Sequence, residues 1–246
     1  MALLIVGHRG AMAHRPENSL ASYALAEEVG VDEIELDVRV SADGQLFLLH
    51  DDTLDRTAGD ESARGLGPVA ELTLAQLQAA VLNSGRGVVT LAEMYDATST
   101  FIQLEIKDPA TLPLLTRFFE ERPADAARTA LSGFDADAIR RAGELMPHIG
   151  RQIIVSDLSK AEEFEGGLRG LLEHTGATRF ACGFPGLTRE LVDRLRDQDI
   201  EVHVWPMRSI DDMRKALALG AHGTTADDPA QAFAWRDEAL AEAMNG

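Results

Sequence analysis

Short apolar runs alternate with amphipathic stretches along the whole chain. Leu3 to Gly7, Glu33 to Val40, Phe101 to Ile106, Arg128 to Leu131, Gln152 to Val155, Arg179 to Cys182, Glu201 to Trp205 and His222 to Thr225 have the length and composition of strands. Each is followed by 3.6-residue periodicity or by helix-starting residues. Asn18 is placed to cap a helix running through Val29 and stopped by Gly30. Ser159, Thr188 and Ser209 open others, the last ending at Gly220. Pro109, Pro123, Pro147 and Pro229 fall between elements, where a fixed φ and a missing N–H cost least. Ala234 to Met244 reads as the final helix.

Eight strand-then-helix units in 246 residues predict an α/β fold, a (β/α)8 TIM barrel, with residues 1–246 as a single domain. An open doubly wound sheet is the competitor, but it usually needs fewer strands. No G-x-G-x-x-G follows the first run, where Gly7-His8-Arg9-Gly10 is too short for that fingerprint. One stretch breaks the rhythm. Ser41-Ala42-Asp43-Gly44 is a turn joining Val38–Val40 to Leu46–Leu49 as a hairpin. Roughly residues 51–89 then read as a loop-rich insertion after the second strand, with one short helix over Leu72 to Leu82. Such an insertion either covers a catalytic mouth or decorates the surface.

Charge changes the picture more than composition does. Hydrophobic residues make up 45%, enough for a core, but 23 Lys and Arg face 41 Asp and Glu, a net −18. That field repels nucleic acid and anionic membranes, which argues for a small-molecule partner. A phosphate substrate would need a local centre of positive charge. Cys182 is the only cysteine, so neither an intrachain disulfide nor a cysteine-based zinc cluster can form. The start, Met1 to Gly7, is apolar but short, lacks a basic leader, and reads as a strand rather than a signal peptide. No run approaches the ~20 apolar residues of a membrane span. A cytoplasmic protein without membrane insertion is expected.

Several strands carry polar residues where a barrel would open its mouth. The first ends in His8-Arg9. The second holds Glu35 and Asp37, which a period of two places on one face, and the third holds Glu105 and Lys107 likewise. The hairpin strand ends in His50. Carboxylates facing a barrel interior are costly unless paired or metal-bound. Glu35, Asp37 and Glu105 together form an all-oxygen set suited to Mg²⁺ or Ca²⁺. Arg9 and Lys107 supply positive charge for a phosphate, and His8 and His50 have the chemistry of a general acid/base pair. Taken singly, each is more often a hydrogen-bonded structural group or a solvated sheet face. Their co-occurrence on three successive strands and the hairpin favours a site.

These residues resemble the glycerophosphodiester phosphodiesterase family. His8-Arg9-Gly10 followed by Pro16-Glu17-Asn18-Ser19 matches its opening motif. Glu35-Leu36-Asp37-Val38 matches the second. Asp43-Gly44, His50-Asp51 and Leu54-Asp55-Arg56-Thr57 match the third, and Glu105-Ile106-Lys107 the fourth. The motifs cover the first 110 residues densely. The resemblance implies cleavage of glycerophosphodiesters to glycerol 3-phosphate and an alcohol. It implies His8 and His50 as the acid/base pair, Glu35, Asp37 and Glu105 as divalent-metal ligands, and Arg9 and Lys107 on the phosphate. Glu17 and Asn18 are expected to be a loop brace and a helix cap. The C-terminal half departs from the family pattern at Trp205-Pro206-Met207-Arg208 and at His222. Trp205 is expected beside the glycerol moiety, Arg208 adds a cation near the mouth, and His222 is expected to be structural. The alternatives are a related barrel acting on lysophospholipid or sphingolipid headgroups, which would need an apolar groove, and a non-catalytic phosphate-ligand binder.

Overall fold

Each apolar run becomes a strand because it has two faces to bury, one against an outer helix and one into the lumen of a closed barrel. The computed structural model describes residues 3–245; Met1, Ala2 and Gly246, the ends of the expected domain, lie outside the described residues. Its strands are β1 (Leu4–His8), β2 (Glu33–Val40), β3 (Leu46–Leu48), β4 (Val89–Thr90), β5 (Phe101–Ile106), β6 (Thr129–Gly133), β7 (Gly150–Val155), β8 (Arg179–Cys182), β9 (Glu201–Met207) and β10 (Gly223–Ala226). Eight of them are parallel in the order β1-β2-β5-β6-β7-β8-β9-β10, and β10 returns to pair with β1. The expected barrel is closed, and the expected strands fall within two residues of the observed ones.

The short β3 pairs antiparallel with the far end of β2, Val38 opposite Leu48, as the hairpin required. β4 then adds to β3, a pairing the sequence did not suggest because two residues have no readable period. Between them lies the insertion, three 3₁₀ turns and one helix, Leu74–Ala79, shorter than the expected Leu72 to Leu82. Thr73 and Gln76 close a capping box at its start.

Burial separates two apolar clusters. The larger fills the space between barrel and helices, with Ile5, Ile34, Leu36, Leu104, Phe119 and Phe180 fully enclosed. The smaller belongs to the insertion and its hairpin, where Phe47, Leu49, Leu54, Leu77 and Val88 pack on one another. Two caps differ from expectation. Ser19, not Asn18, caps the helix Leu20–Val29, accepting the Ser22 N–H through Oγ. Asn18 is instead left-handed at φ 51, which frees its side chain for the site. Asp157, not Ser159, caps Leu158–Glu162, its carboxylate accepting the Ser159 N–H. Thr188 and Ser209 cap as expected. Among the described residues no helix is long and apolar enough to cross a membrane.

Candidate active site

Parallel strands deliver their C-terminal ends to one face of the barrel, and there the polar residues meet. In register, Asp37 of β2 stands opposite Glu105 of β5, and Glu35 lies two residues below Asp37 on the same face. Glu35, Asp37 and Glu105 each offer a carboxylate oxygen within 4.8 Å of the others, and all three residues are buried. Glu35 Oε1 and Asp37 Oδ1 accept no hydrogen bond. Burial and the charge of Asp37 push the Glu35 carboxyl up to about 8. The same two causes raise Glu105. Burial opposes charge on Asp37 too, but the Arg9 and Lys107 cations hold its carboxyl below the ordinary value. Three converging buried carboxylates, two of them with an oxygen that accepts no hydrogen bond, are a donor set suited to a hard divalent cation, so these residues fit such an ion.

The turn after β1 is shaped by close approach. Gly10 has φ 91, and a Cβ there would lie 2.4 Å from Ser22 Oγ, so no side chain fits. Arg9 is itself left-handed, φ 48, a conformation non-glycine residues seldom hold unless tied down. Its carbonyl accepts Ser22 Oγ–H at 2.8 Å, and its N–H donates to Glu35 Oε2 at 3.2 Å. The guanidinium thereby lies 3.2 Å from Asp37 Oδ2 through Nε and 3.0 Å from Glu17 Oε1 through Nη1. Lys107 Nζ is 2.7 Å from Glu105 Oε1 and 3.4 Å from Asp37 Oδ1. Asn18 Nδ2 donates to Asp37 Oδ2 at 2.9 Å while Tyr23 Oη donates to Asn18 Oδ1. Asp37 is therefore oriented from behind.

The two histidines are held alike. His8 Nδ1 lies 2.6 Å from Asp227 Oδ1, at the end of β10, and His50 Nδ1 lies 2.6 Å from Asp51 Oδ1. A carboxylate on Nδ1 places the proton there in the neutral ring and leaves Nε2 for chemistry. His8 Nε2 is 3.8 Å from Glu35 Oε2. Burial pulls the His8 ring down, but its bond to Asp227 and the Glu35 charge together raise it. The His8 bond in turn lowers Asp227.

These groups enclose a cavity of about 190 Å³, walled by His8, Arg9, Glu35, His50, Glu105 and Trp205 among others. Asp37 and Lys107 adjoin the wall through their partners rather than forming it. On the strand circuit β9 lies across the lumen from β5, so Trp205 and Arg208 face the carboxylates from the far side. Trp205 lines the cavity and meets Phe134 edge-on, with ring centroids 5.8 Å apart. The Arg208 guanidinium, also on the cavity, has no hydrogen-bond or ion-pair partner among the described residues. His222 is structural, its Nδ1 accepting the Val202 N–H at 3.0 Å.

Asp51, Arg56, Asp227 and Phe134 were not singled out from sequence as functional. Asp51 and Arg56 stand in the third motif, though without a role of their own, and Asp227 directly follows a barrel strand, which were the available signals. The 219-residue separation of the His8–Asp227 pair left nothing local to reveal it.

Comparison with known proteins agrees with this geometry. Residues 8–231 match the profile of the glycerophosphoryl diester phosphodiesterase family. A glycerophosphodiester phosphodiesterase of Caldanaerobacter subterraneus is 26% identical over 244 residues, covering 93% of this chain and 96% of the relative. A Mycobacterium tuberculosis protein named "probable glycerophosphodiester phosphodiesterase 1" is 29% identical over 274, covering 96% and 93%. Among solved structures, an Oleispira antarctica phosphodiesterase in complex with the product sn-glycerol-3-phosphate superposes with TM-score 0.84 at 23% identity, covering 96% of this chain and 97% of that one.

Proposed function

The chain belongs to the glycerophosphoryl diester phosphodiesterase family, and from that premise we propose that it hydrolyses glycerophosphodiesters to glycerol 3-phosphate and an alcohol. The observation that carries the proposal is a cluster of three buried, mutually close carboxylates, two of them on the wall of a cavity that two carboxylate-held histidines also line. Glu35, Asp37 and Glu105 would hold Mg²⁺ or Ca²⁺. When bound, that cation supplies Lewis acidity toward the phosphate oxygens and offsets the carboxylate charge.

The chain's own groups do the rest. Arg9, in the wall, and Lys107, behind Glu105, provide the positive field that draws phosphate into an acidic protein. One histidine accepts a proton at Nε2 from the attacking water as its oxygen bonds to phosphorus and the P–O bond to the alcohol breaks. The other donates one at Nε2 to the departing alkoxide, so a single proton is taken up and a single one released. Asp227 and Asp51 stabilise each ring when it is charged and fix its tautomer when it is neutral. Trp205 and Phe134 offer an apolar face to the carbon skeleton opposite the reacting phosphate. A cavity of about 190 Å³ is below the roughly 300–1,000 Å³ of drug-sized ligand sites, which favours a small headgroup diester over a lysophospholipid or sphingolipid. Paired acid/base groups would be superfluous in a phosphate-binding protein without turnover.

The test is glycerol 3-phosphate release from glycerophosphocholine and related diesters, with Mg²⁺ or Ca²⁺ added to metal-free protein. Metal-dependent release is expected. Absence of release from every diester, with metal binding verified, would contradict the proposal.

A further inference from the structure

Arg56 lies in the insertion, in the 3₁₀ turn Asp55–Thr57, and is not part of the cavity wall. Its guanidinium nevertheless reaches both sides of the site. Nη1 and Nη2 fork onto Glu17, 2.6 Å to Oε2 and 2.7 Å to Oε1, while Nε donates to Asp51 Oδ2 at 2.6 Å. Each of these carboxylates also holds a second group. Glu17 Oε1 accepts Arg9 Nη1, and Asp51 Oδ1 meets His50 Nδ1. The path from Arg9 to His50 is thus Arg9–Glu17–Arg56–Asp51–His50, with Arg56 as its only residue bonded to both carboxylates.

We propose that Arg56 is a positioning residue that aligns His50 and Arg9 together, so that docking of the insertion assembles the proton carrier and the phosphate cation in one event. The inference rests on the roles given above to His50 and Arg9. Two features support it. The Glu17 side chain is almost fully buried, so its two cations are held in fixed directions rather than by a diffuse field. A guanidinium presents its N–H groups in one rigid plane, and here that plane is used on one edge for Glu17 and at Nε for Asp51. A lysine in the same place has one nitrogen, so it cannot fork two N–H groups onto both Glu17 oxygens while a separate N–H holds Asp51.

The test compares Arg56→Gln, Arg56→Lys, Asp51→Asn and Glu17→Gln with wild type, each checked for folding by thermal melting. Asp51→Asn is expected to act mainly on kcat and Glu17→Gln mainly on KM. Arg56→Gln should do both, lowering kcat about 10–100-fold and raising KM several-fold, the scale of lost outer-shell partners. Joining Arg56→Gln to Asp51→Asn should cost less in kcat than the two separate losses multiplied. Arg56→Lys keeps the charge and should recover only a minor part. Nitrogen-15 NMR of the His50 ring gives a reading that needs no turnover: one tautomer in wild type and a mixture in Arg56→Gln. Full activity in Arg56→Lys, fully multiplicative losses, or an unchanged His50 ring would each overturn the proposal. A wild-type protein with no diesterase activity would instead defeat the proposed function, leaving the His50 spectrum to judge Arg56.

Discussion

The two histidines occupy equivalent chemical settings on unequal supports. His8 and Asp227 sit at the ends of β1 and β10, neighbouring parallel strands of the barrel, embedded in the larger core. His50 and Asp51 follow β3, at the root of an insertion with a smaller core of its own. The Nδ1–carboxylate distance is 2.6 Å in both. The barrel brings its pair together through the register of β1 with β10, and the Ala13 N–H donates to the Asp227 carbonyl at 3.0 Å. The insertion pair is held by arginines, Arg39 of β2 donating to the His50 carbonyl and Arg56 to the Asp51 carboxylate, the second being the clamp proposed above. Equal geometry built on unequal scaffolds means the two halves of the site can be perturbed separately.

The largest expected effect tests whether the halves are chemically equal. His8→Ala and His50→Ala should each lower kcat by ~10²–10⁴ with the fold retained, measured by steady-state release of glycerol 3-phosphate. Full activity in either variant would remove that histidine from the reaction. Next, Glu35→Gln removes a carboxylate that only the barrel positions. It should weaken metal binding by roughly 10–100-fold in a calorimetric titration while leaving the His50 side intact.

The two scaffolds can also be separated by packing. Leu77→Ala in the insertion core and Leu36→Ala in the barrel core both empty fully buried positions, each costing about 2–5 kcal/mol. Hydrogen exchange should show the first loosening the insertion alone and the second the barrel. Activity in the Leu77 variant should fall further than its melting temperature suggests. Equal loosening of both regions by Leu77→Ala would mean the insertion is not a separate unit.

The smallest effect is a pH dependence. Burial pushes the Asp51 carboxyl up, but its hydrogen bonds with Arg56 and His50 outweigh that and hold it down at about 2. A carboxyl lowered on folding stabilises fully above its ordinary value near 3.8 and loses that contribution as pH falls towards 2. Exchange protection around Asp51 to Thr57 should therefore fade over that window; protection unchanged down to pH 2 would count against the clamp.

Sequence pattern reached the barrel half of this comparison more easily than the insertion half. Strands such as Glu33–Val40 declare themselves by alternation, Ile34, Leu36, Val38 and Val40 on one face, and the buried charges Glu35 and Asp37 on the other ask for partners. Apart from its one short helix, the insertion is built from turns and ends at a two-residue strand, where no period exists to be read. Arg56 and Asp51 fall in a matched motif, but what they bond to appears only once the chain is folded. Asn18 had the chemistry of a helix cap, but its left-handed backbone and the pull of Asp37 gave the cap to Ser19. Only tertiary contacts decide such competition.

The central claim, that two histidines on different scaffolds carry the proton at opposite ends of one displacement, meets its most direct test in leaving-group chemistry. A nitrophenyl ester of glycerol 3-phosphate expels a phenolate that needs no protonation, whereas glycerophosphocholine expels an alkoxide that does. Rates of His8→Ala and His50→Ala on both diesters should diverge, with one variant recovering most of its loss on the nitrophenyl ester and the other recovering little. Identical responses from the two variants would contradict the division of roles.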